Sequence, residues 1–498
     1  MTAHEPVRRK ANTVSTLSPP APAPLSSRRR WTVLAVCALG MFLVGLDTTV
    51  VNVGLPAVGR GLDTDTRGLA WIVDSYTVTL AGLLVVSGAL ADRFGRRRVF
   101  RTGLVVFGLA SLACAAAPTL GVLVAARAVQ GAGASMLSPV ALAIVVGVMP
   151  DPRERARAIG VWAAVFGLSM AAGPVTGGAL VAALGWRSLF WINAPVIALA
   201  LLLVARYVPE SHGQRTRRID LPGQLLLGAA LFLSVGLLIE GPRIGWTSAT
   251  ALTGYALTVL TTAAFVRVER RRPEPLMDLG LFRRAPFTRA VLGAVAVFAA
   301  LSTALLLHTL HLQEGRGWSP LAAGLATLPL AAGATLCAPW SGRLVGRLGP
   351  RRPLLLAGGF TAAGGLAMLP FDDGTHLGAA GLAHLLLAQL LLGIGFGFAN
   401  APLTHTAVGG LPPSRAGVAG AITSTARQLG SAIGVAAAGA LVTGVAPADL
   451  AGAARPGWLL VTACGLFLLA AARTAPPPTV VPPVTPARTT ARPPVTPS

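Results

Sequence analysis

Between residues 31 and 473 the chain is a succession of apolar runs, each roughly twenty residues long, broken by short links. A helix rising about 1.5 Å per residue needs that length to cross the hydrocarbon core of a bilayer. Lipid offers the backbone no hydrogen bonds, so each run has to be helical to satisfy its own N–H and C=O groups. The runs fall at about 31–54, 70–91, 99–117, 120–147, 156–183, 188–207, 221–240, 249–268, 287–312, 320–342, 353–370, 379–403, 415–443 and 457–473. This predicts an all-α membrane protein of fourteen transmembrane helices. Only 12% of the residues are charged, about half the share usual in soluble domains.

The links carry the charge. A net charge of +23 would suit a nucleic-acid partner if the cations shared a face, but they lie in the segments between runs. That distribution follows the positive-inside rule and excludes nucleic-acid binding. With the N-terminus inside, 33 of the 41 Lys and Arg residues fall on the cytoplasmic side, and only Arg127 and Arg427 lie within helices. Both termini are therefore expected in the cytoplasm, in a multi-pass protein of the cell membrane. Residues 1–30, rich in Pro, Ser and Arg, and 474–498, rich in Pro and Thr, are expected to be disordered tails. Cys37, Cys114, Cys337 and Cys464 all sit inside apolar runs without paired spacing, as buried hydrophobes do, and no metal site is expected.

A duplication organises the runs. Gly88-Ala-Leu-Ala-Asp-Arg-Phe-Gly-Arg-Arg-Arg98 joins two of them, and Gly342-Arg-Leu-Val-Gly-Arg-Leu-Gly-Pro-Arg-Arg352 joins two more. Gly88, Leu90, Arg93, Gly95, Arg97 and Arg98 find identical partners in Gly342, Leu344, Arg347, Gly349, Arg351 and Arg352. Asp92 alone has no acidic counterpart, since Gly346 stands in its place. Likewise Arg155-Ala-Arg-Ala-Ile-Gly160 and Arg415-Ala-Gly-Val-Ala-Gly420 open corresponding helices. Two related six-helix halves, 31–207 and 287–473, then flank an inserted helix pair within 208–286, an architecture of secondary transporters.

The first loop resembles the signature of the major facilitator superfamily, Gly-x-Leu-Ala-Asp-Arg-x-Gly-Arg-Arg. Leu46-Asp-Thr-Thr-Val-Val-Asn-Val-Gly-Leu-Pro56 is similar to the first-helix signature of its fourteen-helix drug:proton antiporters, departing at Gly54. Leu123-Val-Ala-Ala-Arg-Ala-Val-Gln-Gly-Ala-Gly133 matches the fourth-helix signature, and Ser169-Met-Ala-Ala-Gly-Pro-Val-Thr-Gly-Gly178 resembles the fifth-helix signature of exporters, with Ser169 in place of a Gly. The resemblance implies a multidrug efflux transporter: a non-enzyme with no cofactor, driven by the proton gradient, exchanging small amphiphilic or cationic compounds for protons. It is expected to act as a monomer.

Within that frame each polar residue in an apolar run is a candidate. Asp47 is the first choice for the proton site, because a carboxylate inside a membrane helix costs about 2.5–3.5 kcal/mol and must face a cavity or a partner. A structural role, held by Thr48 or Asn52, is the alternative. Arg127 keeps its charge and must find carboxylate, carbonyl or water; the resemblance gives it a part in proton coupling, with Gln130 a turn away. Asp74, Asn52, Gln130, Trp162, Phe166 and Arg427 are candidates for the substrate cavity. Gly88, Asp92, Arg93, Gly95 and Arg97 form the candidate gating loop, in which the resemblance implies that Asp92 pairs with nearby arginines when the outer side is open. Gly173, Gly177 and Gly178 clear one helix face for close approach and Pro174 bends it. Glu240 ends the first inserted helix, and His308, His311, His384 and His405 could carry protons or serve only as satisfied polar residues. No Gly-x-x-x-x-Gly-Lys-Ser/Thr loop is present, which argues against an ATP-driven pump. Two alternatives stay open: an exporter of an endogenous metabolite or self-made antibiotic, and a membrane sensor that binds without transport.

Overall fold

The computed structural model describes residues 26–213, 220–272, 275–370, 378–409, 411 and 413–473. The first half comprises α1 (Ser27–Leu62), α2 (Thr66–Phe94), α3 (Arg96–Ala116), α4 (Leu120–Ser135), α5 (Ser138–Val148), α6 (Pro152–Leu184), α7 (Ser188–Trp191) and α8 (Asn193–Tyr207). The inserted pair is α9 (Leu221–Ile244) and α10 (Ala249–Arg271). The second half comprises α11 (Ala285–Leu310), α12 (Pro320–Ala326), α13 (Leu328–Leu348), α14 (Arg351–Ala367), α15 (Ala379–Val408), α16 (Pro413–Val442) and α17 (Leu450–Arg473). Between α11 and α12 the chain makes one π-helical turn, His311–Gly315. Among the described residues, twelve stretches are long and apolar enough to cross a membrane. The helices α14, with 17 residues, and α16 lie outside that count and inside the bundle.

Several expected runs are divided, each for a local reason. The run at 120–147 is interrupted at Met136–Leu137, just before Pro139, and that at 320–342 at Thr327, just before Pro329. Proline lacks the N–H that a continuing helix needs, but suits a first turn. The first helix begins earlier than expected, at Ser27, because the Ser26 hydroxyl caps it by accepting from the Arg29 N–H at 3.4 Å. Arg28, Arg29 and Arg30 therefore lie in its first turn, and the remainder of the expected N-terminal tail lies outside the described residues, as does the C-terminal tail.

The duplicated glycines have a backbone cause. Gly95 and Gly349 both have positive φ, +103° and +75°, where a side chain would be strained, and each turns the chain between two antiparallel helices. The two halves also pack alike. A Cβ on Gly131 of α4 would meet the Tyr76 carbonyl of α2, and one on Gly393 of α15 would meet the Leu330 carbonyl of α13. Tyr76 and Leu330 keep the same spacing as Gly88 and Gly342, so the repeat legible in the loops extends into helix packing.

The inserted pair is pinned to the first half. Glu240, near the end of α9, accepts from Arg67 Nη1 at 3.0 Å and Trp71 Nε1 at 2.8 Å, both on α2. Its role here is an anchor.

The halves meet at the end of the bundle opposite the arginine-rich loops. Arg60 at the end of α1 pairs with Glu314 of the π turn at 2.8 Å, and Gln313 Nε2 donates to the Val53 carbonyl at 2.8 Å. On α6, a Cβ on Gly178 would lie 2.8 Å from Leu321 Cα, and Gly324 of α12 abuts the Pro174 carbonyl. Gly439 of α16 comes within 3.3 Å of Ala70 of α2 by the same measure. Farther towards the arginine end, α6 and α13 expose Ile159, Val161, Leu336 and Trp340.

Gly131→Val is expected to lower the thermal unfolding midpoint in detergent, because its new carbon meets backbone that cannot turn aside. The loss should be on the order of 1–3 kcal/mol; an unchanged midpoint would contradict this close approach.

A buried ion pair and an unpartnered acid

Asp47, two-thirds of the way along α1, and Arg127, on α4, are 0% and 1% exposed and 2.6 Å apart. The carboxylate is fully engaged. Its Oδ2 accepts from Arg127 Nη1, while Oδ1 accepts from Gln130 Nε2 at 2.8 Å and from Asn193 Nδ2 at 3.2 Å. Arg127 in turn donates from Nη1 to Gln130 Oε1 at 2.9 Å and from Nε to the Ile72 carbonyl at 3.1 Å. Its guanidinium lies over the Tyr76 ring, 4.2 Å from the centroid, and 5.9 Å from that of Phe190. Behind Asn193, Ser111 accepts from Nδ2 at 3.0 Å and donates to the Phe190 carbonyl at 2.9 Å.

The spacing within α4 explains part of this. Arg127 and Gln130 are three residues apart and share a face, so both reach the one acid presented by α1. The partners contributed by α3 and α8 carry no comparable signal: Asn193 and Ser111 are single polar residues in apolar runs. Neither Thr48 nor Asn52 holds Asp47. Thr48 donates to the Val44 carbonyl at 2.7 Å and Asn52 to the Thr48 carbonyl at 3.0 Å.

Asp74 on α2 is the opposite case. It is 0% exposed, and neither carboxyl oxygen has a hydrogen-bond partner among the described residues. It lies two residues from Ile72, whose carbonyl binds Arg127, and two from Tyr76, whose ring faces that arginine. An unpartnered charge out of water is costly, whereas a neutral carboxylic acid is tolerated far better. Of the two acids, Asp47 has its donors supplied by α4 and α8, and Asp74 has none among the described residues.

The remaining candidates fall into separate places. Trp162 on α6 and Arg427 on α16 are half-buried, away from the ion pair; Trp162 Nε1 has no hydrogen-bond partner. The side chain of Phe166 lies outside the described residues. Gly173 abuts the Thr49 hydroxyl, and a Cβ on Gly177 would stand 2.7 Å from the Val50 carbonyl, so α6 presses against α1 just beyond Asp47. Pro174 lies within the continuous α6.

In the arginine loop, Gly88 is uncrowded and Arg93 is exposed beside Phe94. Asp92 accepts from Arg96 at 2.9 Å, a partner within its own loop. Glu210, beyond α8, accepts from the Arg97 N–H at 3.0 Å and lies 3.8 Å from Arg98. Arg97 Nη2 donates to the Ala205 carbonyl at 2.7 Å. Glu210 was not among the sequence candidates, since one acid in a polar link gives no sign of what it will hold. The four cysteines are free, and no group of metal-ligating side chains occurs among the described residues.

A duplicated helical bundle, closed between its halves at one end and holding buried charges in one half, defines a membrane transporter. Residues 37–435 match the Major Facilitator Superfamily model, and the chain belongs to that family. It is 41% identical to the "Multidrug resistance protein Stp" of Mycobacterium tuberculosis over 84% of this chain and 76% of that one. It is 37% identical to the "Methylenomycin A resistance protein" of Streptomyces coelicolor over 82% and 85% of the two chains. Among solved structures, a bacterial homologue of the lysosomal transporter Spinster, in an inward-facing conformation, superposes with a TM-score of 0.61 at 18% identity, covering 90% and 96%. That likeness concerns the fold. The protein is a multi-pass membrane transporter of small molecules.

Arg127→Ala should destabilise the folded protein by about 3–5 kcal/mol by stranding the Asp47 charge. Adding Asp47→Asn should recover part of the loss, because the stranded charge is gone. Thermal unfolding of the single and double variants checks this; additive losses would mean that the two residues do not act as a pair.

Proposed function

We propose that this chain exports small amphiphilic or cationic compounds, drugs and antibiotics among them, in exchange for protons by alternating access. The arginine end faces the cytoplasm and the closed end the outside, so the arrangement is the one that admits cargo from within. Asp74 carries the reading: a buried carboxyl without a hydrogen-bond partner among the described residues is chemically a loading site for a proton. Asp47 and Arg127 hold α1, α2, α4 and α8 in register. The names of the relatives, a multidrug resistance protein and an antibiotic resistance protein, support efflux and this class of cargo.

The proton gradient is sufficient for the task. One charge crossing 100 mV yields about 2.3 kcal/mol, and a unit of pH adds about 1.4 kcal/mol. Together they sustain a cargo ratio of roughly several hundred per proton. The outward step requires Arg60–Glu314 and Gln313–Val53 to part, and Asp92 to exchange its local Arg96 contact for one that closes the cytoplasmic end.

In proteoliposomes with an imposed pH gradient, the wild type should move a cationic dye against its gradient. Asp74→Asn should abolish that uphill movement while keeping downhill exchange, because binding survives and only the proton's carrier is lost. Asp47→Asn should abolish uphill movement too, with expression retained. Full gradient-driven transport by Asp74→Asn would remove the assignment.

A further inference from the structure

The second half contains a buried polar pair of its own, with one titratable member, in the position that mirrors the first. Leu385, Gln389, Gly393 and Gly395 of α15 repeat the spacing of Leu123, Arg127, Gly131 and Gly133 of α4. The match is spatial as well. Gly131 and Gly393 meet the equivalent carbonyls of Tyr76 and Leu330. A Cβ on Gly133 would stand 2.6 Å from the Phe107 N, and one on Gly395 2.7 Å from the Thr361 N, again an equivalent pair. Gln389 therefore occupies the place of Arg127. The side chain that reaches it from the leading helix of its half is His308 of α11, as Asp47 reaches Arg127 from α1.

This second pair is incompletely satisfied. His308 is 1% exposed; its Nδ1 meets Gln389 Nε2 in a short contact. Its Nε2 lies against the Ala323 backbone of α12 and has no side-chain partner, and Gln389 Oε1 is without a hydrogen-bond partner. A neutral imidazole bonded through one nitrogen has one more nitrogen to fill; a protonated one needs two acceptors. Gln389 can supply one by presenting its oxygen. The Ala323 backbone lies against the other nitrogen.

His308 sits one turn below the π turn whose Gln313 and Glu314 bind Val53 and Arg60 of the other half, and irregular turns of this kind often mark working sites. The charged and titratable groups around the ring are few. His311, on the π turn, accepts from Arg316 Nε at 3.0 Å. On α11 itself there is Arg289 near the opposite end; α1 brings Asp47 and Arg60, α12 none, α15 His384 and His405. Of α16, Arg427 lies beyond Ser431, which bonds Ser302 more than a turn below His308. Around α17 are Asp449, Arg455 and Arg473. No hydrogen bond or ion pair links any carboxylate among the described residues to His308.

We propose that His308 is a second proton-binding site, loaded from the outside when the contacts Arg60–Glu314 and Gln313–Val53 part. The proton goes onto the imidazole from external water and returns to it, with no other bond changed. Once charged, the ring holds the outer end open, since closure would bury a cation with no anion in reach. Closure therefore waits for the proton to leave. This rests on the proton-coupled reading above, and extends it to the half that has no membrane-embedded acid on its leading helix.

Histidine-labelled protein in nanodiscs supplies the test, with His308→Gln identifying the signal by its loss. In the wild type held closed on the outside, the His308 resonance should stay fixed between pH 5 and 8, the range in which histidine charges. In an Arg60→Ala, Glu314→Ala variant with the outer contacts weakened, it should titrate within that range. A resonance that stays fixed in both overturns the proposal, as does one that titrates equally in both. This readout is independent of transport, so a chain that failed to move dye would still answer it. In transport, His308→Gln should lower the proton count per cargo by about one and flatten the dependence on external pH; a wild-type count and profile would also overturn it.

Discussion

The Asp47–Arg127 pair sets the terms for the whole first half. Two charges removed from water recover their desolvation cost only if the geometry is good and the remaining donors and acceptors are filled. Here the filling draws on four helices besides α1: the amide of Gln130 and the guanidinium from α4, the Ile72 carbonyl from α2, Asn193 from α8, and Ser111 of α3 behind it. Such a pair contributes little net stability by itself. Its value is specificity: any shift of one helix by a turn would strand a charge, so the register of five helices is fixed by one acid.

The same accounting separates the charged residues by function. Glu240 accepts two donors from α2 and fastens the inserted helices; Glu210 gathers Arg97 and Arg98 and shapes the loop. Asp74, with neither carboxyl oxygen bonded among the described residues, and His308, bonded to a side chain through one nitrogen alone, lie one in each half and out of solvent. A protein that merely packed would have no use for either, since replacing each with an apolar residue of like size would relieve the cost.

Much of this was legible in the sequence, for identifiable reasons. The helices were, because lipid imposes length and composition on every span; their interruptions at Pro139 and Pro329 were hidden by unbroken hydropathy. The loop repeat exposed the two halves because Gly95 and Gly349 need a backbone conformation other residues resist. Asp47, Arg127 and Gln130 could be picked out one by one, as polar groups in apolar runs. Their mutual satisfaction could not, since it depends on α8 arriving beside α1 with Asn193, a long-range fact. For the same reason the sequence put Asp47 forward for the proton and Asp74 for the substrate cavity without showing what surrounds either. Only the packing shows the first saturated and the second sealed without a partner.

The asymmetry of the halves follows from this chemistry. If both leading helices carried an ion pair, both halves would be rigid and permanently charged, and no proton would alter the balance between the two closures. With one half framed by Asp47 and Arg127 and the other built on the contact of His308 with Gln389, a proton proposed to load at Asp74 or His308 leaves that frame intact. The outer contacts hang on α1, from the rigid half, and on the π turn that continues α11, from the titratable one. A change of charge at the base of that turn acts directly on the element that must move, without needing to travel through the bundle.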